Sequence, residues 1–263
     1  MTRRHFTFEC EGSRLVASLD DADMHTGLLI VSGGNEGRAG AWNGQARFAA
    51  RVAAEGYPVM RFDRRGVGDS EGANGEFRFS GPDLTAALTA FREKCPRLVS
   101  VVGFGNCDAA SALMLTGGAG FDALILSNPW TIEASGDEVP AEVVRAHYRR
   151  RLADPAAIGR LLTGRVSPRQ LLDGLATALS PGPRRRAGLA AEIAEGLAGF
   201  AGPVRFLTAG RDRTGLAFLA KWDKRDPRIR TCPDATHSYV EPDARDWLFE
   251  QILEELRVVG DLS

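Results

Sequence analysis

The sequence predicts an α/β fold: a mostly parallel central sheet with helices on both faces and a small helical cap inserted after the sixth strand. Two observations predict it. Short continuous apolar runs such as LLIVSGG and RLVSVVGFG end in glycines, as strands buried on both faces do. Segments with helical spacing stand between those runs, and repeated β-α-β order builds a parallel sheet.

The elements follow in chain order. HFTFECEG and SRLVASLDDAD alternate apolar and polar residues around a Glu-Gly turn, which reads as an antiparallel hairpin at the sheet edge. From Gly27, LLIVSGG is the third strand. AWNGQARFAARVAAEG, Ala41 to Gly56, is helical and stops at glycine. YPVMRFD is the fourth strand. SGPDLTAALTAFREK is a helix with a Ser cap, a Pro near its start and Asp in its first turn. RLVSVVGFG is the fifth strand, CDAASALMLTGG a helix ended by glycines, and FDALILSNP the sixth strand. An arginine-rich helical stretch, residues 130–200, reads as the cap, leaving 1–129 and 201–263 as the core. The alternation then resumes with GPVRFLTAG, a helix around LAFLAKWDK, RIRTCPDATH and a last helix from Glu241 to Val258.

Composition narrows the function. With 44% hydrophobic and 25% charged residues, the 263-residue chain has the texture of a globular protein. A net charge of −1 gives no electrostatic case for nucleic acid or an anionic membrane. No apolar run reaches bilayer length, so no stable membrane insertion is expected. MTRRHFTFECEGSR has two arginines with no apolar stretch behind them, and we read the protein as cytoplasmic rather than secreted. Cys10, Cys95, Cys107 and Cys232 are far apart and form no C-x-x-C, which argues against disulfides and a structural zinc. There is no H-E-x-x-H, no phosphate-binding loop and no dinucleotide fingerprint, so neither metal nor cofactor is implied. The expected partner is a small-molecule substrate.

Two stretches compete for a nucleophile. RGVGDSEG, Arg65 to Gly72, contains a literal G-x-S-x-G, whereas VVGFGNCDAAS, Val101 to Ser111, has a cysteine. A nucleophile elbow needs a sharp turn from strand end to helix start, with small neighbours. Ser70 lies beyond the end of its strand and is followed by the loop EGANGEF. Cys107 follows a strand directly, precedes a helix, and has Gly105 and Ala109 two residues away on either side. Cys107 is therefore the candidate, and Ser70 a decoy.

The base is sought among four histidines. His5 falls in the first strand, His25 in a turn and His147 in the cap; His237 follows the last strand and is the candidate. Asp212, directly after the preceding strand, is the candidate acid, with Asp226 and Asp234 left as substitutes. Backbone N–H of Asp108, with that of Gly34 or Asn35, is the expected oxyanion hole. Glu36 and Arg38 in the same loop, and Trp130 after the sixth strand, are candidate substrate contacts. Ten arginines against eight acidic residues between Thr131 and Phe200 make the cap only mildly positive.

The order nucleophile, acid, histidine is that of the α/β-hydrolase fold, and DRRGVGDS resembles a loop common in that superfamily. IVSGGNEGRAG, RFDRRGVGDSEG and GFGNCDAASAL, with NPW after the next strand, resemble the hydrolase 1 family associated with exosortase A systems of bacterial exopolysaccharide clusters. That resemblance spans most of the chain and implies a cytoplasmic hydrolase of unassigned substrate. Cysteine in the elbow is also similar to the dienelactone hydrolases, with their Cys-His-Asp triad. The expected activity is hydrolysis of carboxylic esters, lactones or thioesters through an acyl-enzyme. Acyl transfer to a sugar hydroxyl, and a non-catalytic binding or scaffold role, stay open as alternatives.

Overall fold

Glu11 and Gly12 both take positive φ, at 49° and 77°, and close a two-residue hairpin between β1 (Thr2–Cys10) and β2 (Ser13–Asp21). This is the Glu-Gly turn read from the sequence. The computed structural model describes residues 2–132 and 188–262. The expected cap at 130–200 therefore lies mostly outside the described residues, and His147 with it.

Six further strands complete one sheet: β3 (Thr26–Val31), β4 (Val59–Phe62), β5 (Ser100–Asn106), β6 (Ala123–Ser127), β7 (Val204–Ala209) and β8 (Ile229–Cys232). Their spatial order is β1-β2-β4-β3-β5-β6-β7-β8. β2 pairs antiparallel with β1 and β4, and every later pairing is parallel. The helices are α1 (Gly44–Ala54), α2 (Gly81–Lys94), α3 (Asp108–Leu115), α4 (Leu189–Ala198), α5 (Arg213–Lys221) and α6 (Pro242–Leu262).

Alternation along each central strand feeds two cores, because successive side chains point to opposite faces. Leu29 and Val31 of β3, Leu124 and Leu126 of β6 and Phe206 of β7 join one core, under α2, α3, α4 and α5. Leu28 and Ile30, Ala123 and Ile125, and Leu207 join the other, under α1 and α6. Each fully buried side chain of this kind contributes about 1.5–3 kcal/mol. α4 falls within the expected 130–200 span, and its Leu189, Ile193 and Leu197 are buried in the first core. Among the described residues no helix is long and apolar enough to cross a membrane.

The parallel strands direct their C-terminal ends, and the loops that follow them, to one side of the sheet. Ligands bind at that end in open α/β sheets. Cys107, Asn128, Asp212 and the loop carrying His237 all lie there, after β5, β6, β7 and β8.

Candidate active site

Cys107 sits between β5 and α3 with φ 63° and ψ −127°, a conformation that L-residues rarely adopt. Such strain costs about 1–3 kcal/mol and persists only where the surroundings enforce it. Here they do. The Cys107 N–H donates to Ser127 O at 2.9 Å, and its carbonyl accepts from Trp130 N–H at 3.2 Å and Ser111 N–H at 3.4 Å. A Cβ on Gly105 would stand 2.7 Å from the Ala109 carbonyl carbon, so glycine is needed where α3 folds back over the strand. α3 begins directly after Cys107, and the first-turn N–H groups of a helix have no partner within it.

His237 and Asp212 meet at this elbow. His237 Nδ1 lies 2.9 Å from Asp212 Oδ2, and the Cys107 thiol acts on the same imidazole. These two influences, first Asp212 and then Cys107, outweigh burial and push the His237 pKa up to about 10. Burial of the Asp212 carboxyl opposes its ionisation. The hydrogen bond from His237 and those from the Gly215 and Thr214 backbone prevail, holding its pKa below the ordinary value. Asp212 also caps α5, accepting from Gly215 N–H at 2.9 Å, which fixes the carboxylate in place.

The competing residues are occupied elsewhere. Ser70 Oγ donates to Asp63 O at 2.7 Å and accepts from Val16 N–H at 2.9 Å, tying its loop to β2. Asp226 is held by Arg228, at 2.7 Å, and by Trp222 Nε1, at 3.0 Å; the guanidinium foremost holds its carboxyl well below the usual range. Asp234 is exposed in the loop before His237. His5 bonds Ser18 Oγ across the hairpin, and His25 bonds the Arg97 carbonyl. Burial first, and then Asp83 or Asp21, raises the Cys10 and Cys95 thiols to about 11.

Of the expected oxyanion donors, Gly34 is brought to the elbow, where its N–H donates to the Asp108 carboxylate at 2.7 Å. The Asn35 side chain turns away and accepts from Asn74 Nδ2 at 2.7 Å. Glu36 is engaged towards α1. Its carboxylate accepts from Ala41 N–H at 2.5 Å and Gln45 Nε2 at 2.9 Å, organising the start of α1. Arg38 is likewise engaged, with Asp63, Asp69 at 2.8 Å and Ser18 at 3.1 Å. With Arg3, His5 and Arg61 it lines a separate cavity of about 340 Å³. Trp130 is half-buried directly beside Cys107 through the backbone bond already described.

Sequence reasoning missed a clamp behind the histidine. Asn128, fully buried, accepts from Ala209 N–H at 2.8 Å and donates to Asn106 Oδ1 at 3.0 Å. Asn106 Nδ2 in turn donates to the His237 carbonyl at 3.2 Å. Ser127 Oγ and Tyr239 OH pair at 3.0 Å below them. Asn128 has φ 43°, a left-handed backbone that asparagine tolerates better than most residues.

A family model described as "Alpha/beta hydrolase family" matches residues 28–251. A search of curated proteins finds no match. Among solved structures, an α/β hydrolase from Penicillium sp. sh18 aligns with TM-score 0.66 at 16% identity, over 99% of this chain and 100% of its own. An esterase of Pyrococcus furiosus aligns with TM-score 0.59 at 15% identity, over 97% and 90%. A thermophilic esterase from Thermogutta terrifontis aligns with TM-score 0.53 at 18% identity, over 98% and 99%. With a parallel sheet in this order and the family match over most of its length, the chain belongs to the alpha/beta hydrolase family.

Proposed function

We propose that the chain hydrolyses carboxylic esters, lactones or thioesters with Cys107 as nucleophile, His237 as base and Asp212 as orienting acid. The observation that carries this reading is the His237 imidazole, 2.9 Å from Asp212 and acting with Cys107, at a strained strand–helix elbow.

The steps follow from that arrangement. Because Nδ1 bonds Asp212, the other ring nitrogen is left for the thiol, and His237 takes its proton. The thiolate attacks the acyl carbonyl carbon, and the electron pair of the C=O bond moves to oxygen. N–H groups of Asp108 and Gly34 are the donors for that oxyanion. Collapse breaks the bond to the alkoxide or thiolate leaving group, to which His237 returns the proton, leaving a thioester on Cys107. Water then attacks with His237 as base, the C–S bond breaks, and acid and free enzyme result. Asp212 keeps the imidazole in the required tautomer and stabilises its cation.

A thiolate leaves more readily than an amine anion, so a tetrahedral adduct from an amide collapses backwards. Ester-type substrates are therefore favoured over peptides. The esterases among the solved structures that share this fold are in keeping with that chemistry. The sequence blocks similar to the exosortase-associated hydrolases support a place in bacterial exopolysaccharide assembly. The test compares a p-nitrophenyl ester with the matching p-nitroanilide. We expect ester turnover that Cys107→Ala abolishes; anilide turnover at a comparable rate would contradict the reading.

A further inference from the structure

The Asp108 side chain does something that the triad does not require. Its carboxylate reaches back across the site, where Oδ1 accepts from the Gly34 N–H at 2.7 Å. A Cβ on Gly33 would stand 2.6 Å from that oxygen, so the loop leaves room for the carboxylate only because glycine is there. The other oxygen, Oδ2, lies 3.8 Å from Arg64 Nη2. Arg64 is buried, donates to Ser80 Oγ at 2.9 Å through Nη1, and donates to the Gly34 carbonyl through Nη2. The guanidinium thus holds the Gly34 carbonyl, on the peptide after the one whose N–H donates to Asp108, and supplies a cation beside Asp108.

We infer that the Asp108 carboxylate is an internal occupant of the oxyanion site, and that the acyl oxygen takes the Gly34 N–H from it as Asp108 moves towards Arg64. The inference rests on the cysteine-hydrolase reading above. A neutral carbonyl oxygen competes poorly with a carboxylate for an N–H donor, whereas the oxyanion of the tetrahedral intermediate competes well. The displacement is therefore felt in acylation. Asp108 acts as a positioning residue here, not as an acid or base.

The test uses the full chain as wild type, Asp108→Ala and Asp108→Asn, with two probes of Cys107. Burst-phase acylation by p-nitrophenyl acetate needs the oxyanion donors; alkylation by iodoacetamide needs only the thiolate. We expect Asp108→Ala to raise the rate of acylation relative to that of alkylation about tenfold, the scale of one charge-assisted hydrogen bond. Asp108→Asn keeps an acceptor oxygen without the charge and should fall between, and it carries the test if the alanine variant does not fold. Acylation unchanged or slowed in the variants, with normal alkylation, overturns the inference and leaves the hydrolase reading standing. Normal alkylation with no acylation in any form overturns both.

Discussion

His237 Nδ1 and Asp212 Oδ2 stand 2.9 Å apart, one on the loop after β8 and the other capping α5. Because Asp212 serves both as hydrogen-bond partner and as helix cap, its two roles can be separated. Asparagine is also a good cap, so Asp212→Asn should lose only about 1–2 kcal/mol of stability. It cannot hold the imidazole in the same tautomer, and kcat/KM should fall about 10²–10⁴-fold. Parallel melting and ester-hydrolysis measurements check both halves.

The same pair makes stability depend on pH with a defined sign. A base whose pKa rises on folding stabilises the native state fully below its unfolded value and ceases to do so above its folded value. For His237 those limits are 6.5 and about 10. Wild type should therefore exceed His237→Gln most clearly below pH 6.5, and the gap should close as pH rises through about 10. Asp212, whose pKa is lowered, contributes above its ordinary value of 3.8 and loses that contribution as pH falls through the folded value. Melting temperatures of both variants across pH read the two windows.

Ser70 tests the choice between the two stretches. Its hydroxyl joins Asp63 O and Val16 N–H, so Ser70→Ala should cost about 1–2 kcal/mol through the lost bonds. Esterase kcat/KM should stay within about twofold of wild type. A loss of activity approaching that of Cys107→Ala would reverse the assignment.

Asn128 links β6, β7 and, through Asn106, the His237 carbonyl. Asn128→Ala leaves the buried Ala209 N–H without its acceptor, a cost of about 1–3 kcal/mol. With Asn106 no longer held by Asn128, its bond to the His237 carbonyl is less firmly placed, and kcat should fall more than KM rises. Steady-state kinetics at a temperature where the variant remains folded separates the two effects.

The order of strands and helices was legible because each signal was local. The apolar runs of β3, β5 and β6 are buried along most of their length, and the Glu11–Gly12 turn sits where its residues place it. The meeting of Cys107, His237 and Asp212 was legible for a related reason, since each follows a different strand at the same end of one sheet. What could not be read is where side chains in the β3 loop point. Glu36 and Arg38 are close in sequence to Gly34, yet they turn to α1 and to Asp63. Those directions depend on partners such as Gln45 and Asp69, brought near by folding rather than by spacing. Asp108 was recognised for its backbone alone; its carboxylate on Gly34 required the loop from β3 and Arg64 after β4 to converge.

The most direct measurement is the intact mass of the protein after brief exposure to activated esters and thioesters, for wild type, Cys107→Ala and Ser70→Ala. The account predicts an acyl adduct on wild type and Ser70→Ala that is absent from Cys107→Ala. An adduct that survives in Cys107→Ala and disappears in Ser70→Ala would contradict it.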